Sequence, residues 1–259
     1  MTVALQLPSS LHLDAPTFRT LLERQGPSLG LWRAAEIAVL REQTYQPPVL
    51  DLGCGDGLVT SMVLSRVAIG LDPDERPLVQ AKKRGIYDRL ISLPAQNSQI
   101  PDRSIGTVVS NSVLEHIPQV DAVLAAVAQM LKPNGRLIFT TPTAAFSEWL
   151  ALPIASYANW RNQQLCHLNL WSVAGWTQKL ERVGLEVETV RPYLRRELVS
   201  AWDALELLQQ IWIGKWRAFG VVWRRLPPST LDRMAEWLSR LDLAAAAPGG
   251  GCLIAARKR

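Results

Sequence analysis

The chain has 259 residues, 48% of them apolar, with a formal net charge of +5 and three cysteines. That length and apolar share suit one large α/β unit with a sizeable core. They exclude a disulfide or zinc framework, since Cys54, Cys166 and Cys252 are far apart with no CxxC pair, and the absence of a long Lys/Arg run speaks against a nucleic-acid tract.

A reducing compartment is the expectation for such cysteine usage. The opening stretch MTVALQLPSSLHLDAPTF has no basic head followed by a long apolar run, so it does not read as a signal peptide. No apolar stretch approaches the ~20 residues that span a bilayer. The sequence therefore predicts a soluble cytoplasmic protein, with contact to a membrane face left open.

Residues 14–44 carry apolar positions near the helical period: Phe18, Leu21 and Leu22, then Leu31, Ala34, Ala35, Ala38 and Val39. Gly26-Pro27 divides them into two predicted helices, and Pro47-Pro48 closes this helical leader, residues 1–46. Strands and helices then alternate. PVLDLG is a short apolar strand, 58–65 reads as helix, VAIGLD (67–72) as a second strand and 75–84 as a helix. RLISL (89–93) and GTVVSN (106–111) follow as strands, then an Ala/Leu helix at 121–131 and RLIFTT (136–141) as a fifth strand. A helix at 173–183 stops at Gly184, LEVETV (185–190) is the sixth strand and GCLIAAR (251–257) the seventh. Such alternation predicts a doubly wound, mostly parallel α/β sheet covered by helices on both faces. Two tryptophan-rich stretches, 143–172 and 192–248, fall outside it.

The glycines of VLDLGCGDG follow the first strand. A phosphate-cradling loop needs Lys-Ser or Lys-Thr after its glycines, and Leu58-Val59 stand there instead. A dinucleotide fingerprint needs a third glycine where Leu58 sits. A ligand-free tight turn is the remaining alternative. Asp72 ends the second strand, where an acid reads a ribose diol in dinucleotide folds. With Asp51 beside the loop and no lysine, the charge favours a cationic ligand over a pyrophosphate.

With those residues in place, the sequence resembles the class I S-adenosylmethionine-dependent methyltransferases, of the small-molecule type related to the quinone and lipid methylases. The resemblance rests on VLDLGCGDG, AIGLDPD, SNSVLEHIP and MLKPNGRLIFTTP, in that order across about residues 45–145, and more weakly on HLNLWSVAGWTQKLERVGLEV. It implies a seven-stranded Rossmann-like methyltransferase domain over 47–259 and S-adenosylmethionine as cofactor, with no metal. By position it implies that Gly53, Cys54 and Gly55 line the methionine part of the cofactor, oriented by Asp51. Asp72 would hold the ribose hydroxyls, Pro73 would lie against the adenine, and Ala95 and Gln96 would flank it. Asn111 would form a wall beside the methionine portion. Two positions depart from the family pattern: Pro94 replaces an acid before the small residue, and Gly106 replaces an aspartate at the start of the fourth strand. Both bear on cofactor affinity.

Methyl transfer needs a nucleophile held in line with the donor, and a hydroxyl acceptor gains from a general base. The base candidates are His167, Tyr157 and His116. Each has a plain alternative: His116 hydrogen-bonding the loop over the cofactor, and His167 or Asn169 tying its loop to the helix start at Ser172. His12 reads as a surface residue.

Nine of the ten tryptophans lie between 149 and 237. Leu198, Trp202, Leu205, Trp212, Trp216, Phe219 and Trp223 share one helical face, with Arg195, Arg196, Lys215, Arg217, Arg224 and Arg225 flanking it and Gly214 and Gly220 predicting a break or bend. The face reads as core, as a lid over an apolar acceptor pocket, or as a membrane contact through 198–225. The last two share a lipid-like or isoprenoid acceptor, and a glycan acceptor is also open. The expected function is methylation of a small or lipid-like acceptor, at oxygen first. The rivals are a silent cofactor-binding protein and a protein methyltransferase; nucleic acid is not an expected partner. The sequence does not specify an oligomeric state.

Overall fold

Strand β2 (Val49–Leu52) is buried at every residue and pairs in parallel with β3 (Val67–Leu71) on one side and β5 (Ile105–Asn111) on the other. The computed structural model describes residues 4–5 and 9–259 apart from Gly214. In it β4 (Tyr87–Ile91) extends the sheet beyond β3, and β6 (Leu131–Pro142), β10 (Gly251–Lys258) and β7 (Leu185–Tyr193) extend it beyond β5. The order β7-β10-β6-β5-β2-β3-β4 is the seven-stranded, mostly parallel sheet expected from the sequence, with β10 antiparallel to both neighbours. A two-residue strand, β1 (Ala4–Leu5), adds in parallel to the outer edge of β7.

Helices cover both faces. One face carries α4 (Val120–Met130) and α7 (Val173–Arg182), whose apolar residues join Leu50, Val108, Phe139 and Ile254 in one core. The other is covered by α1 (Ala15–Arg41), α8 (Arg196–Gln209) and α10 (Pro228–Leu238). Asp14 caps α1 by accepting from the Thr17 N–H at 2.9 Å. The predicted division of α1 into two helical segments falls at Gly26, whose φ of 78° and ψ of −179° lie outside the helical region just ahead of Pro27. Helix α3 (Glu75–Arg84) matches its expected range.

Two expectations are corrected. The helix read at 58–65 is a single turn, α2 (Leu58–Ser61), because the N–H groups of Met62 and Val63 bond three residues back, to Val59 and Thr60, and tighten the chain out of the α-helix. The face read through 198–223 does not lie on one helix. After α8 the chain forms a hairpin, β8 (Trp212–Ile213) with β9 (Trp216–Arg217), and then the short α9 (Ala218–Trp223), which contains Gly220. The predicted break at Gly214, and the side chains of Trp212, Trp216 and Arg217, lie outside the described residues. The first tryptophan-rich stretch forms α5 (Ala144–Glu148) and α6 (Ala155–Gln164). Among the described residues no helix is long and apolar enough to cross a membrane.

Candidate active site

The glycine turn leaves the carboxyl end of β2 and is tied to β3: Gly53 and Cys54 N–H donate to the Leu71 carbonyl at 2.7 and 3.1 Å. Position 53 admits only glycine, since its φ is 75° and a Cβ there would overlap both methyls of Val113. Asp72, at the end of β3, faces the turn. Its Oδ2 accepts from Gly55 N–H at 2.9 Å and its Oδ1 from Asp74 N–H at 2.9 Å. Asp51 lies beneath, buried, accepting from the Tyr87 hydroxyl at 2.7 Å. Burial pushes its pKa up to about 6. Cys54 is buried against Leu78 and Ala81, and burial raises its thiol pKa as well.

Above the turn opens a cavity of about 410 Å³ at the edge where strand order reverses. Gly53, Asp72, Pro73, Ala95 and Gln96 line it, together with Pro94, Leu93, Ile117 and Pro118. A carboxylate beside bared backbone at one end and apolar walls at the other fit an adenosyl group. Asp51, Cys54, Gly55 and Asn111 do not line this cavity. Gly55 instead holds Asp72, and the Asn111 side chain bonds Glu36 and Thr140 at 3.0 and 2.9 Å. The glycine at 106 has its own cause: a Cβ there would overlap the carbonyl oxygens of Gln46 and Pro47, where the chain crosses into β2.

A second cavity, about 120 Å³, meets the first at Ser112 and His116, which line both. Its walls are the rings of Trp32, Phe146 and Trp202, whose centroids are 5.4 Å apart pair by pair. Its polar groups are Arg33, Ser112, Glu115, His116 and His167. The two imidazoles lie 5.4 Å apart. His116 Nδ1 is 3.1 Å from the Cys166 carbonyl, which only accepts, so Nδ1 carries the hydrogen. Asn162 donates its Nδ2 to Ser147 Oγ at 2.8 Å, which leaves its Oδ1 as acceptor for His167 Nδ1–H at 3.2 Å. The lone pair of His167 is therefore on Nε2. Burial lowers its pKa to about 4, so the ring is neutral. Glu115 is buried, has no hydrogen-bond partner at Oε2 among the described residues, and burial pushes its pKa up to about 8.

The loop before α7 is held by Asn169, as one sequence reading had it, but to a different anchor. Its Nδ2 donates to the Leu114 and Ile117 carbonyls at 2.8 and 2.7 Å, while Ser172 caps α7 through Gly175 N–H. Tyr157 lines neither cavity: its hydroxyl donates to Asp203 at 2.6 Å, in the buried pair that Asp203 makes with Arg161. His12 is exposed and bonds the Leu241 carbonyl. Among the described residues no cluster of three or more His, Cys, Asp or Glu side chains is placed to hold a metal ion.

The sequence reading placed α1 but missed its part in this site. Glu36, fully buried, accepts from Trp32 Nε1 at 2.8 Å, Arg33 Nη1 at 2.6 Å, Asn111 Nδ2 at 3.0 Å and the Ser112 hydroxyl. Two of these donors belong to the smaller cavity's wall, and Ser112 stands where the cavities meet. The signal was a lone acid inside the apolar run RAAEIAVL, at positions that face the core.

The sequence model of a family described as "methyltransferase domain" matches residues 22–190. The ubiquinone biosynthesis O-methyltransferase of Photobacterium profundum is 31% identical over 100 residues, 36% of this chain and 43% of that protein. The chain spans about half the length of the curated relatives it matches. An S-adenosylmethionine-dependent methyltransferase of Thermotoga maritima superposes with a TM-score of 0.59 at 15% identity, over 93% of this chain and 100% of that one. Phosphoethanolamine N-methyltransferase 2 of Haemonchus contortus, solved with S-adenosyl-L-methionine, does so at 0.56 and 16% identity, over 93% of this chain and 60% of that one.

Proposed function

We propose, from the premise that this chain belongs to the methyltransferase-domain family, that it methylates the hydroxyl of a small acceptor whose reacting part is about one ring in size. Membership bears out the class I methyltransferase resemblance read from the motifs, with S-adenosylmethionine as the cofactor. The observation that carries the proposal is the meeting of the two cavities at Ser112 and His116, a large one suited to an adenosyl group and a small aromatic one beyond it.

Asp72 would hold the ribose hydroxyls, with Gly53 allowing close approach and Pro73, Ala95 and Gln96 bordering the adenine. When bound, the cofactor supplies a methyl carbon made electrophilic by its sulfonium. Trp32, Phe146 and Trp202 give the acceptor an apolar aromatic wall and keep water from it. His167 Nε2 accepts the hydroxyl proton as the oxygen–methyl bond forms, with Asn162 fixing the tautomer that leaves this lone pair available. His116 and Ser112 border the line between donor and acceptor. Asn111 acts by bonding Glu36 rather than as a cavity wall. The O-methylating relatives support the choice of oxygen.

A lipid-like acceptor, reached from a membrane surface, is favoured by one observation. Leu208, Ile211 and Val222 are 47, 49 and 63% exposed on the α8–α9 segment, with exposed Lys215, Arg224 and Arg225 among them, and Leu29 at the smaller cavity is exposed too. Flotation with anionic vesicles tests this contact: co-migration is expected, and protein left in the pellet removes it. The main proposal is tested with methyl-labelled cofactor and cell extract. Label in an extractable small molecule is expected; label only in protein overturns the reading.

A further inference from the structure

A third cavity, about 820 Å³, lies outside the site described above: none of its lining residues borders either of the other two. It is twice the volume of the cavity suited to the adenosyl group, and falls within the roughly 300–1,000 Å³ of organic-ligand sites. Its floor is Val190 and Pro192, near the carboxyl end of β7. One wall is a face of α7, where Val173, Ala174, Thr177 and Glu181 recur at helical spacing, and another is α5. Helix α5 divides this cleft from the acceptor cavity, since Ala145 lines the one and its neighbour Phe146 the other.

The charge of the lining is one-sided. Glu148 from α5 and Glu181 from α7 are its charged residues, and no Lys, Arg or His among the described residues joins them, in a chain whose net charge is +5. Both acids are exposed, and neither forms an ion pair among the described residues. Lys179, on the same helix as Glu181, is turned to Asp121 at 2.7 Å instead. The rest of the lining is mostly alanine, valine and proline. An apolar body gains there by leaving water, and a positive charge on it meets two acids and no cation. An anion of the same shape meets both acids unopposed.

We propose that this cleft is a second ligand site, for an organic cation: an amine or quaternary ammonium carried on an apolar body too large for the acceptor cavity. The site goes beyond the transfer reaction and does not rest on it.

Three probes with one ring system and different charge test it: 2-naphthylmethylammonium, 2-naphthylmethanol and 2-naphthoate, titrated by ligand-observed NMR against the full chain with S-adenosylhomocysteine present. The two fused rings exceed the acceptor cavity, which is about one ring in size. The ammonium is expected to bind at least about threefold more tightly than the alcohol and about tenfold more tightly than the carboxylate, the scale of two partly solvated charges. Glu148→Gln with Glu181→Gln, both at exposed positions, should bring the three within about twofold of one another. Ala174→Trp fills the cleft from an exposed position on α7 and should weaken all three at least about tenfold; Ala144→Trp does the same from α5 should the first variant fail to fold. Equal binding of the three, no binding, or tightest binding of the carboxylate overturns the proposal. So does a preference that survives the paired Gln variant, or binding untouched by the tryptophan. A chain that takes the naphthyl cation as expected but not S-adenosylhomocysteine would keep this site and count against the methyltransferase reading instead.

Discussion

The Gly55 amide and the Asp72 carboxylate meet at 2.9 Å, so the bared turn after one strand and the acid ending the next are joined as one unit. Asp72 Oδ1 is engaged by Asp74 N–H at the same distance, which fixes the plane of the carboxylate. A group held this way is pre-oriented toward the diol it would grip. Asp72→Ala is expected to weaken S-adenosylhomocysteine binding about 10- to 100-fold, the worth of hydrogen bonds to a charged group. Calorimetry on the purified chain reads this directly, and affinity within twofold of the original would take Asp72 out of the site.

His167 presents Nε2 because Asn162 holds its other nitrogen as a donor. His167→Ala should lower turnover about 10²- to 10⁴-fold with hydroxyl acceptors. S-adenosylhomocysteine affinity should stay near the original, since His167 does not line the larger cavity. Because the ring charges only below about pH 4, turnover should not fall with an imidazole limb between pH 5 and 7. An acid limb near pH 6.5 that vanishes in His167→Ala would show that the ring is not desolvated as described.

Glu115 makes stability depend on pH in a defined sense. In the folded chain it keeps its proton up to about pH 8, whereas the unfolded carboxyl releases it near 4.5. Between those values the folded state binds more protons, so stability falls as pH rises through the window and levels off above it. Asp51 contributes the same sign but only up to about pH 6. His167, lowered by burial, contributes the opposite sign below its ordinary value. From about pH 6.5 to 8 the decline therefore belongs to Glu115, and Glu115→Gln should flatten it. Urea midpoints at the two pH values, for both chains, decide the matter: equal slopes would place the raised pKa elsewhere.

Asp203 anchors the insert helices. It is fully buried, accepts from Arg161 Nε at 2.8 Å, from the Tyr157 hydroxyl at 2.6 Å and from Ala151 N–H at 3.0 Å. Asp203→Ala strands a buried guanidinium and should cost ~3–5 kcal/mol. Asp203→Leu combined with Arg161→Met removes both charges and should recover most of that loss. Chemical denaturation measures both. A single variant within about 0.5 kcal/mol of the original would mean that the pair is not closed to solvent.

Much of this fold was readable because its signals are local. Strand runs, the stop at Gly184 and the alternation of elements each depend on a few neighbouring residues, and every predicted strand lies within two residues of the observed one, apart from extensions of β6 and β7. The glycine turn and Asp72 were readable for the same reason: the ends of adjacent parallel strands bring them together. Asn111 was placed on the right strand end, but its side chain turns to Glu36, 75 residues earlier in the chain, which no local pattern announces. Tyr157 failed as a base candidate on similar grounds, since its partner Asp203 sits 46 residues later. The helical face read across 198–223 was a periodicity that a hairpin interrupts after Gln209. The aromatic seat draws on α1, α5 and α8, three elements whose meeting is set by packing alone.

Strand β10 lies between β6 and β7, yet it comes after both in the chain. On the ribosome, β2 to β6 therefore emerge with all their mutual partners, while β7 has only the two residues of β1 beside it until Gly251–Lys258 appears. Helix α1 leaves the ribosome earlier still, and although α2 and the inner strands give it part of its floor, β7, β10, α8 and α10 supply the rest. The helix that carries Arg33 and Glu36 must then wait, its apolar face only partly covered, for the later residues to arrive. Birth order thus ties the acceptor seat to the chain's far end: losing residues 251–258 would strand β7 and unseat a helix made more than two hundred residues before.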